Sequence, residues 1–520
     1  MQVGDETIRE AMERRARETP EDVYCTFERQ PLTIAALDAA VNRVANGLLA
    51  SGLRKGDRVA LMLPSHPDHV VAIFALAKVG LVRVPVNVHL KGAALAFVFE
   101  QLEPRALIAD REYASQLDSQ MLNGLDLVIW RGERVTTPSW IDLAAHPDAT
   151  PPSVAPAPDD ILAITPSSGT TGAPKGVLKS DRTLRAGPIA TQMLTDRRRG
   201  DVLLLWEALH HGAGVAVLIG AVLERISLAM VPRFSASRFW NDARRGNATH
   251  IHYLGGVLPM LLAQPARADD RSHGVRIAWG GGCPAEVWRR FEDRFGVEIR
   301  EGYGLSELVT FVLINRDGPE GSIGKPLPWY DIQLIDEQGN ALPAGETGEI
   351  AVHARDERLG FLGYFRNAEA TAAGWRERGG KRWYLTGDLG RRDDDGWFYY
   401  AGRSKDSVRR RGINISAWEV ERVINEHPDV EESALVGVPG ALGDDELLVY
   451  VRPVSGRSID PDALIQWCEP RLPYFQVPRY VAAVDDFPRT PTQRVRKSEM
   501  SRDVAGVWDR DVARGDRPPR

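Results

Sequence analysis

Cysteine is nearly absent from this 520-residue chain: Cys25, Cys283 and Cys468 lie far apart. Three thiols at those separations exclude a disulfide framework and any paired metal-ligand spacing, and they fit a reducing cytoplasm. Lysine is scarce too, nine of the 65 basic residues, so arginine carries nearly all of the positive charge. No apolar run reaches the roughly 18 residues that a transmembrane helix needs, so no membrane span is expected. Positive charge is not in excess either. The formal net charge of −6 gives no overall field toward nucleic acid or an anionic bilayer, and nucleic acid is not an expected partner. The opening MQVGDETIREAMERRARETP has acids where a secretory signal would have its apolar stretch, and reads as an amphipathic helix of the mature protein. No internal repeat is evident.

At this length a single core is excluded, and roughly three or four folding units of about 150 residues are expected. From Leu32 the pattern alternates: a helix to Ser51 stopped by Gly52, a strand from Arg58 to Leu63, then the helix HPDHVVAIFALAK closed by Gly80. It continues through a strand from Val82 to Asn87, a helix before Pro104 and a strand from Ala106 to Asp110. It resumes with VLLL, ISLAMV, THIHYL and VRIAW. Such near-continuously apolar runs suit parallel strands covered on both faces. Past Gly324 the texture changes to DIQLIDEQGNALPAGETGEIAV, short alternating strands with Gly, Pro and Asn turns, as in a small antiparallel barrel or sheet. A further α+β unit starts near Lys405. The charge-rich last twenty residues, ending RGDRPPR, read as a disordered tail.

The loop SSGTTGAPKG, Ser167 to Gly176, follows the apolar strand Ile161 to Ile164. Gly169, Gly172 and Gly176 permit backbone that points successive N–H groups into one anion-binding concavity. Ser168, Thr170 and Thr171 add hydroxyls, and Lys175 adds a mobile point charge. The spacing is not that of a Walker A loop. Gly/Ser/Thr runs also form ordinary solvated turns, so the loop decides nothing alone.

Further segments decide it: LHHGAG from Leu209 to Gly214, GGGCP from Gly280 to Pro284, EGYGLSE from Glu301 to Glu307, YLTGD from Tyr384 to Asp388, and GRSKDSVRRRGINISAWEVE from Gly402 to Glu421. In this order and at these distances they resemble the adenylate-forming superfamily of acyl-CoA ligases, peptide-synthetase adenylation domains and luciferases, across essentially the whole chain. The C-terminal half is most similar to AMP-forming ligases of the crotonobetaine/carnitine-CoA ligase kind. The resemblance implies an α/β fold: a large N-terminal domain, 1–402, of two doubly wound α/β subdomains to about residue 325 and a small β-barrel over about 326–402. A small mobile α+β domain, 403–500, would follow, with its hinge near Lys405 and a tail over 501–520. It implies an acid-thiol ligase that forms a CoA thioester through an acyl-AMP intermediate, using ATP, coenzyme A and Mg2+.

The resemblance also assigns residues. Ser168, Gly169, Thr170, Thr171, Gly172 and Lys175 would hold phosphate. The stretch Gly281, Gly282 and Cys283 and the stretch Tyr303, Gly304 and Ser306 would hold the nucleotide. Tyr303 offers an aromatic face to adenine, and the glycines let backbone approach a planar base. Asp388 and Arg403 match the pair that holds the ribose hydroxyls, and Glu307 matches the acid that holds magnesium, whose hard oxygen ligation suits it. Ser306 stands where threonine is usual. His211, picked over His210 by its spacing to Gly214, matches the residue at the entrance to the acid pocket, which Gly212, Gly255, Gly256 and Gly280 would line. Lys405, Arg411 and Gly412 match the hinge and the segment beside the pantetheine arm, and Arg409, Arg410 and Arg411 are candidates for CoA phosphates. The small pocket residues leave room for a bulky or polycyclic hydrophobic acid, although such glycines also serve turns.

One departure touches the chemistry. The family's final Gly-Lys falls in PRTPTQRVRK, Pro488 to Lys497, where Gln493 and Arg494 stand instead. That lysine bridges the carboxylate and the α-phosphate during adenylation. A guanidinium is a planar fork and cannot place one compact ammonium between two oxygens. Loss of one positioned donor costs on the order of 3 kcal/mol, roughly a hundredfold or more in rate. Lys497 is a candidate substitute three residues away. The expectation is therefore an enzyme that carries acyl groups from AMP to CoA but makes the adenylate slowly or not at all, with a second ligase supplying it. The alternatives are an ordinary two-step synthetase, a stand-alone enzyme loading a carrier protein, and a non-catalytic nucleotide-binding regulator. A nicotinamide oxidoreductase lacks its Gly-x-Gly-x-x-Gly after the first strand.

Overall fold

The computed structural model describes residues 3–132, 138–167, 175–254, 256–283, 285–336, 338–403, 407–410, 413–440, 444–488, 495 and 497–515. The alternating rhythm becomes two large sheets. One runs in the order Leu127–Arg131, Ala106–Asp110, Arg58–Met62, Val82–Pro85, Ile161–Ser167, Lys175–Ser180, parallel except for the closing hairpin. The other has nine strands. Its parallel centre contains the four expected strands, Val202–Leu205, Ser227–Met230, His250–Leu254 and Ile277–Gly281, with Glu298–Tyr303 beside the last. Most of these runs are apolar, as suits parallel strands covered on both faces.

Helix Pro67–Lys78 starts from a proline, whose fixed φ suits the first turn, and every residue from His69 to Lys78 is buried. The sole ammonium in it, Lys78, is 2.5 Å from Asp38. The expected N-terminal helix is Ile8–Glu18, closed by a Thr7/Glu10 capping box, with Ile8, Ala11 and Met12 buried in the main core. Its neighbour Val23–Phe27 pairs in parallel with Ser227–Met230, some 200 residues away.

Beyond these sheets lies an antiparallel unit of five strands, Tyr330–Ile335, Thr347–Ala354, Trp375–Arg378, Lys381–Arg392 and Phe398–Arg403. The C-terminal unit combines the hairpin Ser407–Arg410/Ile413–Ser416, helix Ala417–Asn425, helix Pro461–Cys468 and a four-stranded sheet. Val420, Ile424, Leu435, Val449, Leu464 and Phe475 give it a core of its own.

The expected disordered tail is corrected in part. Trp508–Asp509 pairs antiparallel with Tyr480–Ala483, and Asp509 caps the short helix Arg510–Ala513. Composition misled because the tail's charges are matched: Arg479 is 2.8 Å from Asp509, and Arg514 is 2.6 Å from Glu469. Residues 516–520 lie outside the described residues. The three cysteines are buried and form no disulfide with one another, and burial pushes the Cys25 and Cys468 thiols up to about 12. Among the described residues no helix is long and apolar enough to cross a membrane.

Candidate active site

The strands on either side of the glycine-rich loop pair antiparallel: Ser167 with Lys175 and Pro166 with Gly176. At Gly176 a Cβ would lie 2.6 Å from both Ile164 and Leu102, so only glycine fits there. The Gly176 carbonyl accepts from the Phe365 N–H at 2.7 Å, which brings Tyr364 over the loop's outgoing strand. The Lys175 ammonium then lies 4.9 Å from the Tyr364 ring centre, and the Tyr364 hydroxyl donates to Glu307 at 3.0 Å. Lysine at the loop and glutamate in EGYGLSE are thus linked through one aromatic residue.

Tyr303 ends the strand Glu298–Tyr303, and Asp388 lies in Lys381–Arg392. The Tyr303 hydroxyl donates to Asp388 at 2.7 Å, both residues being buried, and Tyr400 reaches the other carboxylate oxygen at 3.4 Å. Burial and the neighbouring Asp388 charge hold the Tyr303 phenol well above its ordinary value, so it stays a donor. The Arg403 backbone pairs with Asp388 across the sheet. Ser306 is exposed, and Glu307 is half-buried.

Glu301 holds the GGGCP segment. Its carboxyl accepts from the Gly282 N–H, from the Cys283 N–H at 3.2 Å and from the Tyr253 hydroxyl at 2.5 Å. Burial nevertheless pushes it up to about 7. A Cβ on Gly280 would run into the Tyr253 carbonyl, so the parallel strands meet this closely only with glycine. The C-terminal unit reaches the same place: Arg409 donates to the Gly281 carbonyl at 3.4 Å. Arg410 does not point there. It is buried in its own unit, bonded to the Phe475 and Val477 carbonyls at 3.0 Å and 2.8 Å from Glu446, which removes it as a candidate for CoA phosphate.

His211 precedes helix Gly212–Glu224 and is accessible, whereas His210, 4.4 Å away ring to ring, is buried. Protein crowding and the nearby His89 push the His211 imidazolium down to about 4, so its ring is neutral at physiological pH. Gly256 opens helix Val257–Leu262. Lys497 contacts none of these groups: its ammonium is 2.6 Å from Glu421 within the C-terminal unit. Ser168, Gly169, Thr170, Thr171, Gly172, Gly255, Lys405, Arg411, Gly412 and Arg494 lie outside the described residues.

Sequence reasoning missed three contributors. Glu207 and His252 form a buried pair at 2.5 Å that ties the LHHGAG segment to strand His250–Leu254. Lys179 donates to the Leu308 carbonyl; burial pushes its ammonium down to about 8, with the Glu307 charge opposing. The available signal for Lys179 was the rarity of lysine.

A lysine beside the glycine-rich loop, a buried Tyr–Asp pair and a second unit in contact with the glycine segment are accompanied by sequence matches. The family model "AMP-binding enzyme" matches residues 12–365, and "AMP-binding enzyme C-terminal domain" matches 419–494. The chain belongs to the AMP-binding enzyme family. This adenylate-forming family bears out the resemblance drawn from the motifs. The chain is 29% identical over 482 residues to a crotonobetaine/carnitine–CoA ligase of Citrobacter koseri, covering 90% of this chain and 92% of that one. Among solved structures, a double mutant of o-succinylbenzoate CoA synthetase from Bacillus subtilis bound to its product analogue OSB-NCoA is similar with a TM-score of 0.83. It is 24% identical over 94% of this chain and 97% of that one. The same enzyme with its acyl-adenylate intermediate OSB-AMP gives 0.68 at 24% identity and the same coverage.

Proposed function

We propose that this AMP-binding enzyme is an acid-thiol ligase that joins a carboxylic acid to coenzyme A through an acyl-AMP intermediate, with the thioester-forming half intact and the adenylate-forming half weakened. In the first half a carboxylate oxygen attacks the α-phosphorus of ATP and pyrophosphate leaves. In the second the CoA thiolate attacks the acyl carbon and AMP leaves. Tyr303 and Asp388 would hold the nucleoside, Lys175 and the Ser168–Gly172 segment its phosphate, and neutral His211 the mouth of the acid pocket. Glu307 is a single carboxylate, and among the described residues no cluster of three metal-ligating side chains surrounds it. That fits magnesium held by one acid, water and substrate phosphates, where the ion would supply counter-charge.

The observation that supports the reading most is the contact of Arg409 with Gly281, which joins the C-terminal unit to the glycine segment expected to hold nucleotide. Two facts support the weakened half. Arg494 replaces the bridging lysine, and Lys497 is held by Glu421. A second ligase would then supply acyl-AMP, and the small residues Gly212, Gly256 and Gly280 suit a bulky hydrophobic acid. The test compares pyrophosphate release from acid and ATP with thioester formation from synthetic acyl-AMP and CoA. The second reaction is expected to run at least a hundredfold faster, and Arg494→Lys to raise the first. Equal rates in both, with no gain from Arg494→Lys, would show an ordinary two-step synthetase.

A further inference from the structure

A carboxylate beside a nucleotide phosphate repels it unless a cation lies close to both. Strand Lys175–Ser180 supplies two cations near Glu307. Side chains alternate along a strand, so Lys175 and Lys179, four residues apart, leave the same face. Lys175 reaches Glu307 through Tyr364. Lys179 is anchored on the carbonyl of Leu308, the next residue in the chain, and its ammonium interacts with the Glu307 charge. Two of the nine lysines therefore lie near one acid in a protein whose basic residues are mostly arginine. An ammonium is a compact charge that sits between two oxygens, as a planar guanidinium does not. Lys179 also belongs to the N-terminal unit, so it stays in place whichever face the C-terminal unit presents.

We propose that Lys179 is a resident counter-charge of the adenylate site: it neutralises Glu307 and lets AMP-bearing ligands bind without a divalent metal. This rests on the function proposed above, in which Glu307 faces nucleotide phosphate. A positioning role for an ammonium is distinct from any metal held there.

The test is calorimetric titration with AMP in buffer containing EDTA, then with saturating magnesium. Wild-type affinity is expected to change less than threefold between the two. Lys179→Met should bind AMP at least tenfold more weakly in EDTA. Lys179→Met combined with Glu307→Gln should recover to within threefold of wild type, because the charge that Lys179 offsets is gone; a merely structural lysine gives no such rescue. Equal binding by wild type and Lys179→Met, or absence of rescue, overturns the proposal. So does a wild-type gain of more than tenfold on adding magnesium, a result that needs no folded variant. Wild type binding no AMP in either buffer would instead overturn the proposed function, and this inference with it.

Discussion

Glu301 makes stability depend on pH in a calculable direction. Its carboxyl is buried among Tyr253, Gly282 and Cys283, and burial outweighs their donated hydrogen bonds, so it titrates near 7 against an ordinary 4.5. Below about pH 4.5 the group is protonated in the folded and unfolded chain alike, and its contribution to stability is complete. Between there and pH 7 the unfolded chain ionises while the folded one keeps its proton. Stability therefore falls as pH rises, and the loss levels off above 7. At about 1.4 kcal/mol per unit the ceiling is about 3 kcal/mol. With unfolding entropy near 2.1 cal/mol/K per residue, a cooperative unit of roughly 400 residues loses about 4 °C in Tm. Glu224, also raised to about 7 by burial although Arg197 opposes, acts in the same sense, so wild type alone does not isolate Glu301. Glu301→Gln does: it is neutral at every pH and keeps an acceptor for the two N–H groups. Scanning calorimetry from pH 5 to 8 should show the Gln variant gaining about 3 °C on wild type across the range, since part of the loss already lies below pH 5. A constant difference, or wild type gaining instead, refutes the reasoning. Linkage extends to the C-terminal unit, because the Arg409 charge pulls the Glu301 carboxyl down; closure of that unit therefore favours the ionised acid, and Arg409→Met should steepen the pH dependence.

Two further outcomes are expected. Tyr303→Phe keeps the ring but deprives buried Asp388 of its 2.7 Å donor; a hydrogen bond to a charged group contributes about 1.5–3 kcal/mol, so AMP should bind roughly tenfold or more weakly by titration calorimetry. Ending the chain after Gly506 removes the strand Trp508–Asp509 and the Asp509 partner of Arg479, so the C-terminal unit should lose about 1–3 kcal/mol and melt earlier, whereas a tail without structure would leave the melt unchanged.

The chemistry was legible in sequence wherever it depends on local backbone. Ala106–Asp110 and the parallel strands from Val202 to Gly281 follow from apolar runs punctuated by glycine, and Tyr303 and Asp388 stand in short segments whose order identified the family. What stayed hidden is pairing between distant side chains. Val23–Phe27 joins the second sheet through residues about 200 positions away, and Glu207 meets His252 only once two parallel strands are laid side by side. The tail failed for the same reason: a charge run reads as solvated until Glu469 and Arg479 are known to receive it. Lys179 is an intermediate case. Its contact with Leu308 is tertiary, but period-two spacing from Lys175 places both lysines on one strand face, and lysine is the rare cation of this chain. Position 494 differs in kind: arginine stands there, and the function proposed above turns on the compact charge that a guanidinium does not supply.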